Sequence, residues 1–115
     1  MIVGSIKEDL SVEKRVALTP ETAKNIIGLG LKILIEKNYA NHLGIRDIEY
    51  ENVGVEIKNS YNEVLSSCNL LIKVNCPSAN IINQLKENTI LIGMLNPSKN
   101  KNQINEIIKK KINIF

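Results

Sequence analysis

Short, β-branched and mostly apolar runs alternate with segments of helical periodicity along the whole chain, and that alternation restricts the fold more than any other feature. The runs are Met1 to Ile6, Leu31 to Glu36, a brief Val55 to Ile57, Asn69 to Val74, Thr89 to Met94 and Ile112 to Phe115. Apolar character sustained over so few residues is what a strand buried on both faces of a parallel sheet requires. After the first run, Thr19 is a helix cap and Pro20 a first helical residue; Ala23, Ile26 and Ile27 share one face, and Gly28 or Gly30 ends the helix. Further helical stretches fall at 46–52, 61–67, 79–87 and 100–111, the last carrying Ile104, Ile107 and Ile108 at helical spacing. Alternation of this kind implies right-handed βαβ units. The expected fold is α/β, with a doubly wound, mostly parallel sheet in a flavodoxin-like, three-layer arrangement whose final strand is cut short at Phe115.

The composition suits one globular domain with one core. The 115 residues are 43% hydrophobic and 23% charged, with a net charge of +3. With 3% aromatic residues and no Trp there is little to stack on bases, so no nucleic-acid partner is expected. No apolar run approaches the roughly 20 residues of a bilayer-spanning helix, so direct membrane insertion is not expected either. Cys68 and Cys76 have no CxxC spacing, and His42 is the single histidine, which gives neither a zinc pattern nor a disulfide framework. Both cysteines read as reduced thiols packed as small apolar groups, and His42, in Asn41-His42-Leu43-Gly44, as a solvated loop residue.

Gly28-Leu29-Gly30 superficially invites a dinucleotide-binding reading. In that fingerprint the glycines follow a strand and open a helix, whereas these follow a helix and precede a strand. They read as helix-terminating glycines, and no Walker, HExxH or GxSxG pattern occurs. Candidate ligand groups lie instead at strand and helix ends. Arg15, set against Val16-Ala17-Leu18 just before a helix N-terminus, could hold a carboxylate or phosphate through its planar fork, or be an ordinary surface arginine. Lys73, near the end of the apolar run Leu71-Ile72-Lys73-Val74-Asn75-Cys76-Pro77, needs water or an anionic partner for its ammonium. Asn96, after the run that ends at Met94, either meets a ligand or makes the turn that Pro97 demands.

Ile6-Lys7-Glu8, Glu13-Lys14-Arg15-Val16-Ala17-Leu18-Thr19-Pro20, Val53-Gly54-Val55-Glu56-Ile57 and Leu71-Ile72-Lys73-Val74-Asn75-Cys76-Pro77 follow one another in an order and spacing that covers nearly the whole chain. Together they resemble the N-terminal domain shared by alanine dehydrogenase and the alpha subunit of proton-translocating NAD(P) transhydrogenase. The resemblance implies that Arg15 and Lys73 match the residues with which alanine dehydrogenase holds substrate carboxylate and carbonyl. It also implies that Asn96 stands where that enzyme has its acid/base histidine. An amide does not exchange protons near neutral pH, so the departure favours the transhydrogenase branch, as does the wording Lys-Val-Asn-Cys-Pro.

That branch implies hydride transfer between NAD(H) and NADP(H), which needs two oriented nicotinamides rather than a titrating side chain. It places Arg15, Lys73 and Asn96 along a substrate- or nicotinamide-facing cleft, with no catalytic residue and no metal in this chain. NAD would be bound mainly by a Rossmann domain absent from these residues. The implied partners are that domain and other transhydrogenase subunits, with a homodimer in the full assembly. The implied location is the cytoplasm, at the inner face of a membrane through those partner subunits. Residues 1–115 would then be an N-terminal domain that is not catalytic alone. Two other readings stay open: the substrate domain of an alanine dehydrogenase-like amino-acid dehydrogenase, and a non-catalytic remnant or interaction module.

Overall fold

A computed structural model describes residues 1–114. Strands β1 (Ile2–Ser5), β2 (Lys32–Glu36), β3 (Glu56–Lys58), β4 (Leu70–Asn75), β5 (Ile90–Met94) and β6 (Asn113–Ile114) alternate with helices α1 (Pro20–Gly28), α2 (Asp47–Glu51), α3 (Tyr61–Ser67), α4 (Ala79–Gln84) and α5 (Lys101–Lys109). A 3-10 turn at Asn41–Leu43 precedes α2. All strand pairs are parallel, in the order β3-β2-β1-β4-β5-β6. This is the doubly wound α/β sheet that the alternation of runs predicts. The order is that of the six-stranded doubly wound sheet, 3-2-1-4-5-6, in place of the flavodoxin-like order expected, because the short β3 adds a strand beyond β2.

The two cores explain why the runs are apolar on both sides. In β2, Ile33 and Ile35 pack with Ala23, Tyr39, Tyr50 and Val55 under α1 and α2, while Leu34 points the other way. There it joins Leu71, Leu91, Leu65, Ile82 and Ile107 beneath α3, α4 and α5. Gly4 permits the closest of these approaches. A Cβ on it would lie 2.8 Å from both Val64 Cγ1 and Cys68 Cβ, so α3 seats on β1 only because that side chain is missing.

Local signals account for both ends of α1. Thr19 Oγ1 accepts from the Thr22 N–H at 3.2 Å, Pro20 opens α1, and Gly30 turns the chain at φ +93° after Gly28 closes the helix. The glycine pair therefore ends a helix, as expected from its place before a strand. The expected stretches 79–87 and 100–111 shorten to Ala79–Gln84 and Lys101–Lys109. Leu85 takes an extended backbone, and Lys111 and Asn88 take positive φ, which stops the helices sooner than their apolar spacing suggests. Of the run from Ile112, Asn113–Ile114 form β6 and Phe115 lies outside the described residues.

Among the described residues no helix is long and apolar enough to cross a membrane. Cys68 is buried in the core under α3, with burial pushing its thiol up to about 11. Cys76 is only half-buried, beyond the end of β4, and so departs from the packed role expected of both cysteines.

Candidate functional site

The strand order reverses between β1 and β4. From β1 the chain winds outward to β2 and β3, and from β4 it winds the other way to β5 and β6. The crevice beyond the carboxyl ends of those two central strands is where doubly wound sheets bind ligands. Here it is a cavity of about 430 Å³, with Glu8 and Asp9 from the end of β1, Lys73 and Asn75 from β4, and Tyr61 of α3 among its walls. A second hollow of about 400 Å³ adjoins it across Val12, Asn75 and Cys76, and reaches Glu13 and Asn96.

Lys73 lies at the first of these hollows with a side chain only 9% exposed, and Glu8, 2% exposed, faces it, Nζ to Oε1 at 3.6 Å. The same carboxylate accepts the Val74 N–H at 2.9 Å and the Asn75 N–H at 3.2 Å, so the ends of β1 and β4 are tied together through it. The lysine thus has the anionic partner that its place in an apolar run demands.

Arg15 lies on the strap between β1 and α1, and its side chain is 67% exposed. Its fork is not free. Nε and Nη2 each donate at 2.9 Å to the two oxygens of Glu13, and the Arg15 backbone N–H adds a third bond at 2.9 Å. Asn75 Nδ2 donates to the same carboxylate at 3.2 Å, linking the strap to the end of β4. These bonds, the Arg15 guanidinium foremost, hold the Glu13 carboxyl at about 2, against an ordinary 4.5, despite some opposing desolvation.

A carboxyl whose folded value is depressed contributes stability that is present above its unfolded value and lost as pH falls through its folded one. The Glu13–Arg15 link is therefore expected to be at full strength above pH 4.5 and to disappear as pH falls toward about 2. In urea titrations the wild-type midpoint should fall more steeply over that window than the midpoint of Glu13→Gln. Parallel curves would show that the pairing is screened away at this exposed arginine.

The strap itself is held from below by buried hydroxyls. Ser5 Oγ donates to the Ile72 carbonyl at 2.6 Å, so at the 2.7 Å contact between them Tyr39 must donate to Ser5. The Tyr39 oxygen accepts the Leu18 N–H at 3.2 Å, and Tyr50 donates to the Leu18 carbonyl at 2.7 Å. Both polar groups of the Leu18 residue are thereby fixed. The two rings meet edge to face at 5.6 Å, and burial pushes the Tyr39 phenol up to about 12 and that of Tyr50 higher still. His42 adds an outer tie. Its Nε2 lies 2.8 Å from the Lys14 carbonyl, so it anchors the strap where a merely solvated histidine was expected.

Asn96 is exposed beyond β5, on the rim of the second hollow, with a left-handed backbone at φ +44°. Its carbonyl accepts the Lys99 and Asn100 N–H groups at 3.0 and 3.1 Å, so it does make the turn, and its side chain stays at the surface. Lys73, Arg15 and Asn96 thus lie along one carboxyl edge, but Lys73 and Asn96 face adjoining hollows and Arg15 lines neither. Sequence reasoning did not single out Glu8 and Glu13 as site residues. Their signal was present: an acid just past an apolar strand, and a Glu-x-Arg spacing beside it.

A sequence profile for the family described as alanine dehydrogenase/PNT, N-terminal domain matches residues 4–115. The chain is 30% identical to an NAD(P) transhydrogenase subunit alpha polypeptide of Rickettsia prowazekii, covering 100% of this chain and 31% of that protein. It is 32% identical to an alanine dehydrogenase of Methanococcus maripaludis, over 97% of this chain and 30% of that one. Among solved structures, the transhydrogenase from Sinorhizobium meliloti superposes with a TM-score of 0.91 at 26% identity, covering 100% of this chain and 34% of that one. An L-alanine dehydrogenase shares the fold, with a TM-score of 0.92 at 20% identity over 99% of this chain and 31% of that one. The chain therefore spans about a third of the length of these relatives. By profile, by sequence and by fold, it belongs to the family of alanine dehydrogenase/PNT N-terminal domains.

Proposed function

We propose that this chain serves as the N-terminal domain of an NAD(P) transhydrogenase alpha subunit. In this reading it forms one wall of a cleft closed by a second, dinucleotide-binding domain, and hydride passes there between NAD(H) and NADP(H). The observation that carries the choice of branch is Asn96, an amide at the rim beyond β5 where the alanine dehydrogenase pattern calls for an imidazole. Oxidative deamination needs a group that gives and takes a proton, and an amide does neither near neutral pH. Hydride exchange between nucleotides needs only placement.

Arg15, Lys73 and Asn96 would face the nicotinamide end of the cleft, and NAD itself would be held mainly by the second domain. The glycines present here favour that division, because Gly28 and Gly30 end a helix instead of opening one toward a phosphate. Exposed Ile92 and Met94, two residues apart on β5, favour a domain that works packed against others, including further transhydrogenase subunits and a second copy. Any membrane association would come through those subunits, on the cytoplasmic side.

The test joins this chain to the dinucleotide-binding domain that completes it and measures two things. The expected result is NADH binding without pyruvate- and ammonia-dependent NADH oxidation. Oxidation that is lost in Arg15→Ala would instead establish an amino-acid dehydrogenase. Absence of any nucleotide binding would leave a non-catalytic module.

A further inference from the structure

The end of β4 is irregular just where Lys73 sits. Its pairing with β5 runs Leu70 to Ile90, Leu71 to Leu91 and Ile72 to Ile92, and then resumes at Asn75 with Met94. Lys73 and Val74 together oppose Gly93, so β4 carries one extra residue there and bulges. A bulge takes backbone donors out of the ladder. The Val74 and Asn75 N–H groups turn to the carboxylate of Glu8, which arrives from the end of β1 and also faces Lys73 Nζ at 3.6 Å. A carboxylate 2% exposed and an ammonium 9% exposed are costly to bury singly, which makes the pairing decisive for where the lysine points.

We infer that Glu8 is a positioning residue that, by capping the β4 bulge and pairing with Lys73, fixes the Lys73 ammonium against the wall of the cavity between β1 and β4. The role this gives Glu8 in ligand handling rests on the reading of Lys73 as a cleft residue. The geometry itself does not, and it is tested separately.

The experiment is competitive acylation of the full chain with acetic anhydride at pH 8, read by mass spectrometry as the rate at Lys73 relative to the exposed Lys24 and Lys37. Glu8→Gln keeps the size of the side chain and removes its charge. It is expected to raise the relative Lys73 rate by about tenfold, because a nearly buried ammonium that has lost its anionic partner is no longer held in its charged, unreactive form. Glu8→Asp should restore most of the protection. A staple acting on the backbone alone would change unfolding midpoints and leave the relative Lys73 rate as it was, and that result overturns the inference. Should Glu8→Gln fail to fold, Lys73→Met gives the converse reading, in which the Glu8 carboxyl 13C resonance must move and an unmoved resonance overturns the pairing. Failure of nucleotide binding by the completed wild-type protein would remove the transhydrogenase reading and leave these outcomes standing.

Discussion

Leu71→Ala is expected to lower the unfolding free energy by about 2–5 kcal/mol, the range for emptying a buried leucine site. Leu71 is fully buried at the middle of the sheet, paired with Gly4 on β1 and Leu91 on β5. Its side chain faces the core formed by Leu65, Ile82 and Ile107, where three helices converge. Neighbours on two strands and three helices cannot all relax into one vacated site, so the upper part of the range is expected. A domain of this size holds only about 5–15 kcal/mol in total, and the variant should be marginal at 37 °C. Urea unfolding followed by circular dichroism measures it directly. A loss under about 1 kcal/mol would mean that the core under α3, α4 and α5 is loosely filled.

The parts of the fold that could be read from the chain alone are those where a local rule and the global packing agree. Runs such as Lys32–Glu36 are apolar on both sides because both cores claim them, and Thr19-Pro20 caps and starts a helix by its own chemistry. Strand order was not legible. Nothing in Glu56–Lys58 announces that it joins the outer edge beside β2 before the chain crosses to β4, because that choice is made by packing between elements distant in sequence. Helix ends drifted for a similar reason. In α4 the apolar spacing runs on to Leu85, whose side chain serves the core equally well from an extended backbone.

The candidate site divides along the same line. Residue type and position brought out Lys73, since a lysine in an apolar run must answer for its charge. The identity of its partner was out of reach, because Glu8 is 65 positions away and meets it only once β1 and β4 lie side by side. Arg15 was legible as a cation near a helix start, but not as one already engaged by Glu13 two residues earlier. Charge pairing decides whether such a group awaits a ligand or braces a loop, and pairing is a property of the folded backbone.

The largest effect expected of a one-carbon change is at Gly93, where substitution by alanine should act on stability and site together. A Cβ there would lie 2.7 Å from the Lys73 carbonyl oxygen, closer than atoms can stand, and the obstructing atom is backbone rather than a yielding side chain. Either β5 moves away from the β4 bulge or the bulge itself is reshaped. Overpacking of this kind costs about 1–3 kcal/mol, and here it falls on the peptide that carries Lys73. Gly28→Ala makes the natural control. Gly28 is the last helical residue of α1, an added Cβ meets nothing within 4 Å, and alanine restricts the unfolded chain, so that variant should gain up to about 1 kcal/mol. The same atom added at two glycines should thus move the urea midpoint in opposite directions. Only Gly93→Ala should also change the acylation rate of Lys73, because only there does the new methyl group press on the bulge that Glu8 caps. If Gly93→Ala shifted the midpoint and left Lys73 unchanged, β5 would have yielded instead of β4, and the bulge would be the stiffer of the two partners.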